Sequence, residues 1–286
     1  MDLLAAGLAV FVWAAALPGP AASGLATDKG FSPPARPATV RRAVTVVDYG
    51  ALNGAVTIAF RPTSLGAGAA GQAEISPAKV STKIHALFAN LPPAARLEAG
   101  SLTYVLWAVT PEGRTSNLGE VARVGTEGRI DAKVGSSVFG LLVTAEPYFA
   151  VSQPQDAVVL EVGVTADPSS PRRVKEATCE LLSRAAGTRP AVAPLAADPT
   201  GPLMLEEARR AIATAREAGA LQYAPDTLRT AEQLLQLAGD QQQRGVSRKT
   251  VEETASQAVL MAEDARVLAI TREARDRQVQ AEGDSP

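Results

Sequence analysis

From Leu203 to Gln278 the chain is written in alanine heptads, and no other feature limits its fold so tightly. Leu205, Ala208, Ile212, Ala215 and Gly219 alternate steps of three and four. Leu228, Ala231, Leu235 and Ala238 repeat the rhythm, and Val251, Ala255, Ala258, Ala262, Ala265 and Ala269 hold it longest. Such spacing places one narrow apolar stripe on each helix. Small residues along a stripe let backbones approach closely, so the helices are expected to pack as a coiled-coil-like hairpin or three-helix bundle. Nothing in the stripe binds metal, attacks a carbonyl or carries a proton, which points to scaffolding or binding.

The helix boundaries are marked by their chemistry. The first helix stops at Gly219. The second starts near Pro225-Asp226, where proline suits the first turn and aspartate suits the positive end of the helix dipole. It fades through Gln241-Gln242-Gln243 to Gly245, and Ser247 is placed to cap the third.

Ahead of the helices the pattern changes to short β-like runs. Ala43–Tyr49, Ala55–Phe60 and Gln72–Ile75 are the first. Over 79–90, Val80, Ile84, Ala86 and Phe88 share one face, and Ser81, Lys83 and His85 share the other. Leu102–Val109 is apolar on both faces, as a central strand would be. Its Tyr104, Leu106 and Trp107, with Val143 of a later run, are the expected core of the β domain. Runs over Asn117–Val124, Ile130–Val134, Val138–Ala145 and Ala157–Val164 follow, and Val174–Arg184 reads as a last strand or a short helix. Even spacing of short strands signals an antiparallel sandwich. The fold class expected is therefore multidomain β + α, an antiparallel Ig-like β-sandwich followed by the helices. The boundaries expected are a signal peptide over 1–26, a disordered leader over 27–39 and the sandwich over 40–185. A Pro/Ala-rich linker over 186–202, a helical domain over 203–278 and a disordered tail over 279–286 complete the reading.

The signal reading rests on the apolar run Leu3–Leu17, which is too short for a comfortable membrane span. Pro18, Pro20 and small residues suited to cleavage follow it, although no Lys or Arg precedes it. No cysteine follows to take a lipid. A periplasmic or secreted protein is expected, with a retained N-terminal anchor as the alternative.

Composition narrows the chemistry. Lys and Arg number 28 against 30 Asp and Glu, a net charge of -2, which gives no electrostatic footprint for nucleic acid. One histidine and one cysteine make a zinc site unexpected and an intrachain disulfide impossible. No metal and no cofactor are expected. His85 falls on a polar strand face, and Cys179 lacks the basic setting of a reactive thiol. The pairs Glu206-Glu207, Glu252-Glu253 and Glu263-Asp264 could suggest carboxylate ligands, but metal-binding bundles add histidines that these helices lack. Beside Arg209, Arg210 and Arg266 they read as solvated faces with helical ion pairs.

Two stretches resemble known families. Leu102–Val109, then Pro111-Glu112-Gly113, Asn117–Glu120 and Val138–Glu146, is similar to the extracytoplasmic sandwich domain of anti-sigma-K factors. Ala208–Ala211, Ala218–Ala220, Tyr223–Pro225 and Leu228–Leu235 resemble Ala-rich bacterial envelope helices often found before OmpA-like domains. The resemblance implies an envelope protein. No OmpA-like module follows the helices in this sequence, so direct peptidoglycan binding is not expected of it. The function expected is a non-enzymatic scaffold or interaction protein that meets an envelope protein, or itself, through its helices. The alternative is an envelope sensor with a ligand-binding sandwich.

Overall fold

The alternating pattern that defines a half-buried strand is clearest in β4, Thr82–Ala89, whose Ile84, Ala86 and Phe88 are buried while Lys83, His85 and Leu87 face water. Val80 does not join that face. It lies in a bend before the strand and is 89% exposed, because the alternation begins only where the ladder does, at Thr82. The computed structural model of the chain describes residues 38–51, 54–78, 80–163, 174–183 and 202–283. The expected signal segment, the leader through 37, the linker over 186–201 and the end of the tail from 284 lie outside them.

The strands are β1 (Thr39–Asp48), β2 (Val56–Pro62), β3 (Ala70–Ser76), β4, β5 (Thr103–Val109), β6 (Thr115–Glu120), β7 (Ala122–Val124), β8 (Glu127–Val134), β9 (Val138–Glu146), β10 (Val158–Gly163) and β11 (Val174–Leu182). Their ladders are antiparallel and run β11-β1-β9-β10-β2-β3-β4-β8-β7, with β5 on the other edge of β9 and β6 on β5. Only Val121 separates β6 from β7, so the sheet curls nearly into a barrel. Ile58, Phe60, Ile75, Ile84, Phe88, Tyr104, Leu106, Leu141 and Val143 fill its interior as one apolar cluster. The segment over 174–182, ambiguous by period, is a strand and pairs along the length of β1.

At the β5–β6 turn, backbone conformation and packing both require glycine. Gly113 has φ 82, and a Cβ there would lie 1.9 Å from the carbonyl oxygen of Thr178 in β11. The Pro-Glu-Gly turn therefore lies directly against the last strand.

The helices are α1 (Ala94–Leu97), α2 (Leu203–Glu217), α3 (Ala220–Tyr223), α4 (Pro225–Gln243) and α5 (Arg248–Gly283). The short α3 adds a turn the heptads did not reveal. Gly219, in the left-handed region, ends α2, and Pro225 forces Ala224 out of helical geometry before α4. Ser247 accepts a hydrogen bond from the backbone N–H of Thr250 at the start of α5 (3.3 Å). α5 continues past Gln278 to Gly283, through residues whose polarity suggested a frayed tail. No described helix is long and apolar enough to cross a membrane.

α2, α4 and α5 pack on one another. Leu205, Ala208, Ile212, Leu228, Val251, Ala255, Ala258, Ala262 and Ala265 are buried, and Leu235 is half-buried. The described residues form one compact unit in which the helices lie on the β unit. A single apolar cluster joins Val105, Trp107, Val109, Leu142, Tyr148 and Val158 to the helical alanines. This explains why β5 is apolar on both faces: Tyr104, Leu106 and Ala108 face the interior of the near-barrel, and Val105, Trp107 and Val109 face the helices. Mixed β and α architecture is thus built as two packed layers around a shared seam.

Candidate functional site

The groove around His85 is the more exposed of two candidates. Register aligns Glu74, His85 and Asp131 across β3, β4 and β8, and the next row aligns Ser76, Lys83 and Lys133. His85 Nδ1 lies 2.7 Å from Asp131 Oδ1, so the imidazole has an oriented partner that alternation alone did not disclose. The side chains are 49% and 78% exposed, which makes this a solvated cross-strand pair.

The seam between sheet and helices carries stronger chemistry. Paired residues in an antiparallel sheet share a face, and Thr103 pairs Glu146 while Val105 pairs both Thr144 and Glu120. Since Val105 faces the helices, so do Glu120, Thr144 and Glu146. Trp107 Nε1 donates to Thr144 Oγ1 (2.8 Å), and Thr144 in turn donates to Glu146 Oε1. Glu146 Oε1 also accepts from the backbone N–H of Gln155 (2.9 Å), while its Oε2 is buried without a hydrogen-bond donor. Burial pushes the Glu146 carboxyl up to about 8, against the pull of those hydrogen bonds.

The loop from β9 to β10 joins the layers. Asn117 of β6 holds it by donating to the carbonyls of Phe149 (2.9 Å) and Val151 (2.8 Å). Tyr148 then donates its hydroxyl to Glu263 Oε2 of α5 (2.7 Å), and the N–H of Ser152 donates to Glu263 Oε1 (2.8 Å). Arg266 grips the same carboxylate with two hydrogen bonds of 2.7 Å and reaches Ser152 Oγ at 2.9 Å. Burial alone would raise the Glu263 carboxyl, but Arg266, Tyr148 and Ser152 together hold it below the usual range. It is a buried carboxylate that stays charged.

On α2 the environment works the other way. Glu207 Oε2 accepts from the N–H of Phe149 (2.8 Å), and its Oε1 is buried with no donor. Its carboxyl lies within hydrogen-bonding reach of Glu120, which accepts from Thr103 Oγ1 (2.5 Å). Burial and the neighbouring carboxyl raise Glu207 well above the ordinary range. Burial likewise raises Glu120, with the Glu252 charge adding to it.

The acidic pairs are thus not uniformly solvated faces. Glu206, Glu207 and Glu263 are buried, while Glu253 and Asp264 are exposed. Helical period alone places a residue on a face, but only docking on the sheet makes that face an interior. A sequence signal did exist: Glu207 adjoins Ala208, and Glu263 adjoins Ala262, both stripe positions. No group of three or more His, Cys, Asp or Glu among the described residues is arranged to hold a metal ion. Cys179 is buried, and burial raises its thiol above the usual range.

Between the β9–β10 loop, α4 and α5 an open groove is lined by Ala150, Ser152, Asp226, Thr230, Leu260 and Asp264, with Glu263 at its edge. Leu237, Leu260, Val267, Leu268 and Ile270 remain exposed on this layer. Compared with protein-family models, curated proteins and solved structures, the chain matches none.

Proposed function

We propose that this chain is a non-enzymatic scaffold or interaction protein of the cell envelope, exported by its N-terminal segment. Its β unit acts as an Ig-like sandwich module of the anti-sigma-K kind, and its helices form the association surface. The observation that carries this reading is the division of labour among helical side chains. The alanine stripe is already used inside the molecule, while Leu237 of α4 and Leu260, Val267, Leu268 and Ile270 of α5 are left exposed. A partner, or a second copy, therefore meets these exposed helical side chains, which can drive association, rather than the alanine seam.

The test places a photo-crosslinking residue at Leu260 or Val267, with Val124 on the β unit as control, since Val124 is 83% exposed. Crosslinks from the helical sites to a second copy or to an envelope protein are expected. Equal yields from Val124, or protein confined to the cytoplasm with Met1 intact, would sink the reading. The sensor alternative draws on the groove beside Glu263, which lies between the β9–β10 loop and the helices. A small molecule entering there would touch the groups that join the layers.

A further inference from the structure

Glu120 and Glu207 meet across the seam, one from β6 and one from α2, in a junction that also holds Thr103, Thr144 and Glu146. The groups facing the pair are the Thr103 hydroxyl from β5, the Phe149 N–H from the β9–β10 loop and the Glu252 carboxylate from α5. None of these is a cation, although Glu252 is itself paired with Arg248 (2.7 Å). Beside them on α2, Glu206 is paired with Arg209, and Arg210 faces Glu206 and Glu217. Glu207 Oε1 is fully buried and receives no N–H or O–H. Two ionised carboxylates could not satisfy that oxygen, because neither can donate. A proton on one of them supplies the missing donor and removes one of two like charges from a buried contact.

We propose that the helical layer is latched to the β unit by a proton shared between Glu120 and Glu207, so that the layers loosen as pH rises. The sign follows from the geometry. The docked state holds a proton that the separated carboxyls would release, so docking is strongest at low pH and weakens as pH climbs above the ordinary carboxylate range. The raised proton affinity of both groups agrees with this direction. Glu263, kept charged by Arg266, holds the Tyr148 hydroxyl and the Ser152 N–H throughout and serves as the permanent joint. The latch works wherever the protein resides and does not depend on the proposed envelope role.

Hydrogen exchange of the full chain, followed at α2 amides between pH 5 and 8 and corrected for intrinsic exchange, tests it. Protection in the native chain should fall with pH, by up to about tenfold per pH unit for one linked proton. In Glu207→Gln the amide donates to Glu120 permanently, so the fall should be reduced by that factor. Glu120→Gln is the companion and should behave alike. A native chain whose protection does not change with pH overturns the proposal. So does a pH dependence that persists undiminished in both variants and disappears in Glu146→Gln. Failure of both neutral variants to fold overturns it as well, because a neutral amide should do the work of the protonated carboxyl.

Discussion

Trp107 shows how much one residue's role depends on which face of its strand it takes. Its indole lies in the seam, fully buried, and anchors the Thr144–Glu146 hydrogen-bond chain. Trp107→Ala should cost roughly 3–5 kcal/mol through lost transfer energy and the cavity left behind. Chemical denaturation of the full chain measures this, and a loss within about half a kcal/mol would place the ring in water. Arg266 and Glu263 form a pair with side chains only 13% and 7% exposed. Arg266→Ala leaves a buried carboxylate without its cation and should cost about 3–5 kcal/mol in the same measurement. For Glu146 the pH dependence can be stated with a sign. Its carboxyl rises to about 8 on folding, so its contribution is full below the ordinary carboxylate range and is lost as pH climbs to 8. Glu146→Gln should flatten the decline in stability over that window, by up to about 1.4 kcal/mol per pH unit. His85→Ala, on a solvated cross-strand pair, should change stability by less than about 1 kcal/mol.

Among the elements, α5 bears the most constraint. Val251, Ala255, Ala258, Ala262, Ala265 and Ala269 are buried along it. Alanine there sets the approach of α2 and α4, because any larger side chain needs space that the neighbouring backbones occupy. Ala262→Leu should therefore destabilise by about 1–3 kcal/mol through overpacking. Gln257 is exposed on the same helix, and Gln257→Leu should be nearly neutral, since leucine is a good helix former. Thermal unfolding of the two full-length variants by circular dichroism makes the comparison. Equal melting temperatures would mean that Ala262 is not in a close-packed seam. The β9–β10 loop matters at this scale too. It has no regular structure, yet Tyr148, Phe149 and Ser152 supply donors to carboxylates of two helices.

For the whole molecule, the apolar cluster shared by sheet and helices couples the layers, so the two should unfold together. In a Trp13→Phe background, fluorescence from Trp107 reports the seam while far-ultraviolet circular dichroism reports the helices. The two transitions should coincide in urea at pH 6. A separate early fluorescence transition would show layers that part before either unfolds.

The amino-acid sequence alone determined the local structure, because local structure is periodic. Alternation at Ile84, Ala86 and Phe88 fixed a strand face, and the three-four spacing through Ala255, Ala258 and Ala262 fixed a helical stripe. Turn and cap residues such as Gly113, Pro225 and Ser247 marked where elements stop and start. What faces each apolar surface was not written in any local window. The second apolar face of β5 signalled burial but not that helices far along the chain would cover it. Glu207 and Glu263 read as solvated because polarity predicts exposure only until another layer arrives with donors such as the N–H of Phe149 and Ser152. Only the tertiary structure decided which carboxyls are interior, since burial and partner geometry, rather than residue type, set whether a buried acid keeps its charge or its proton.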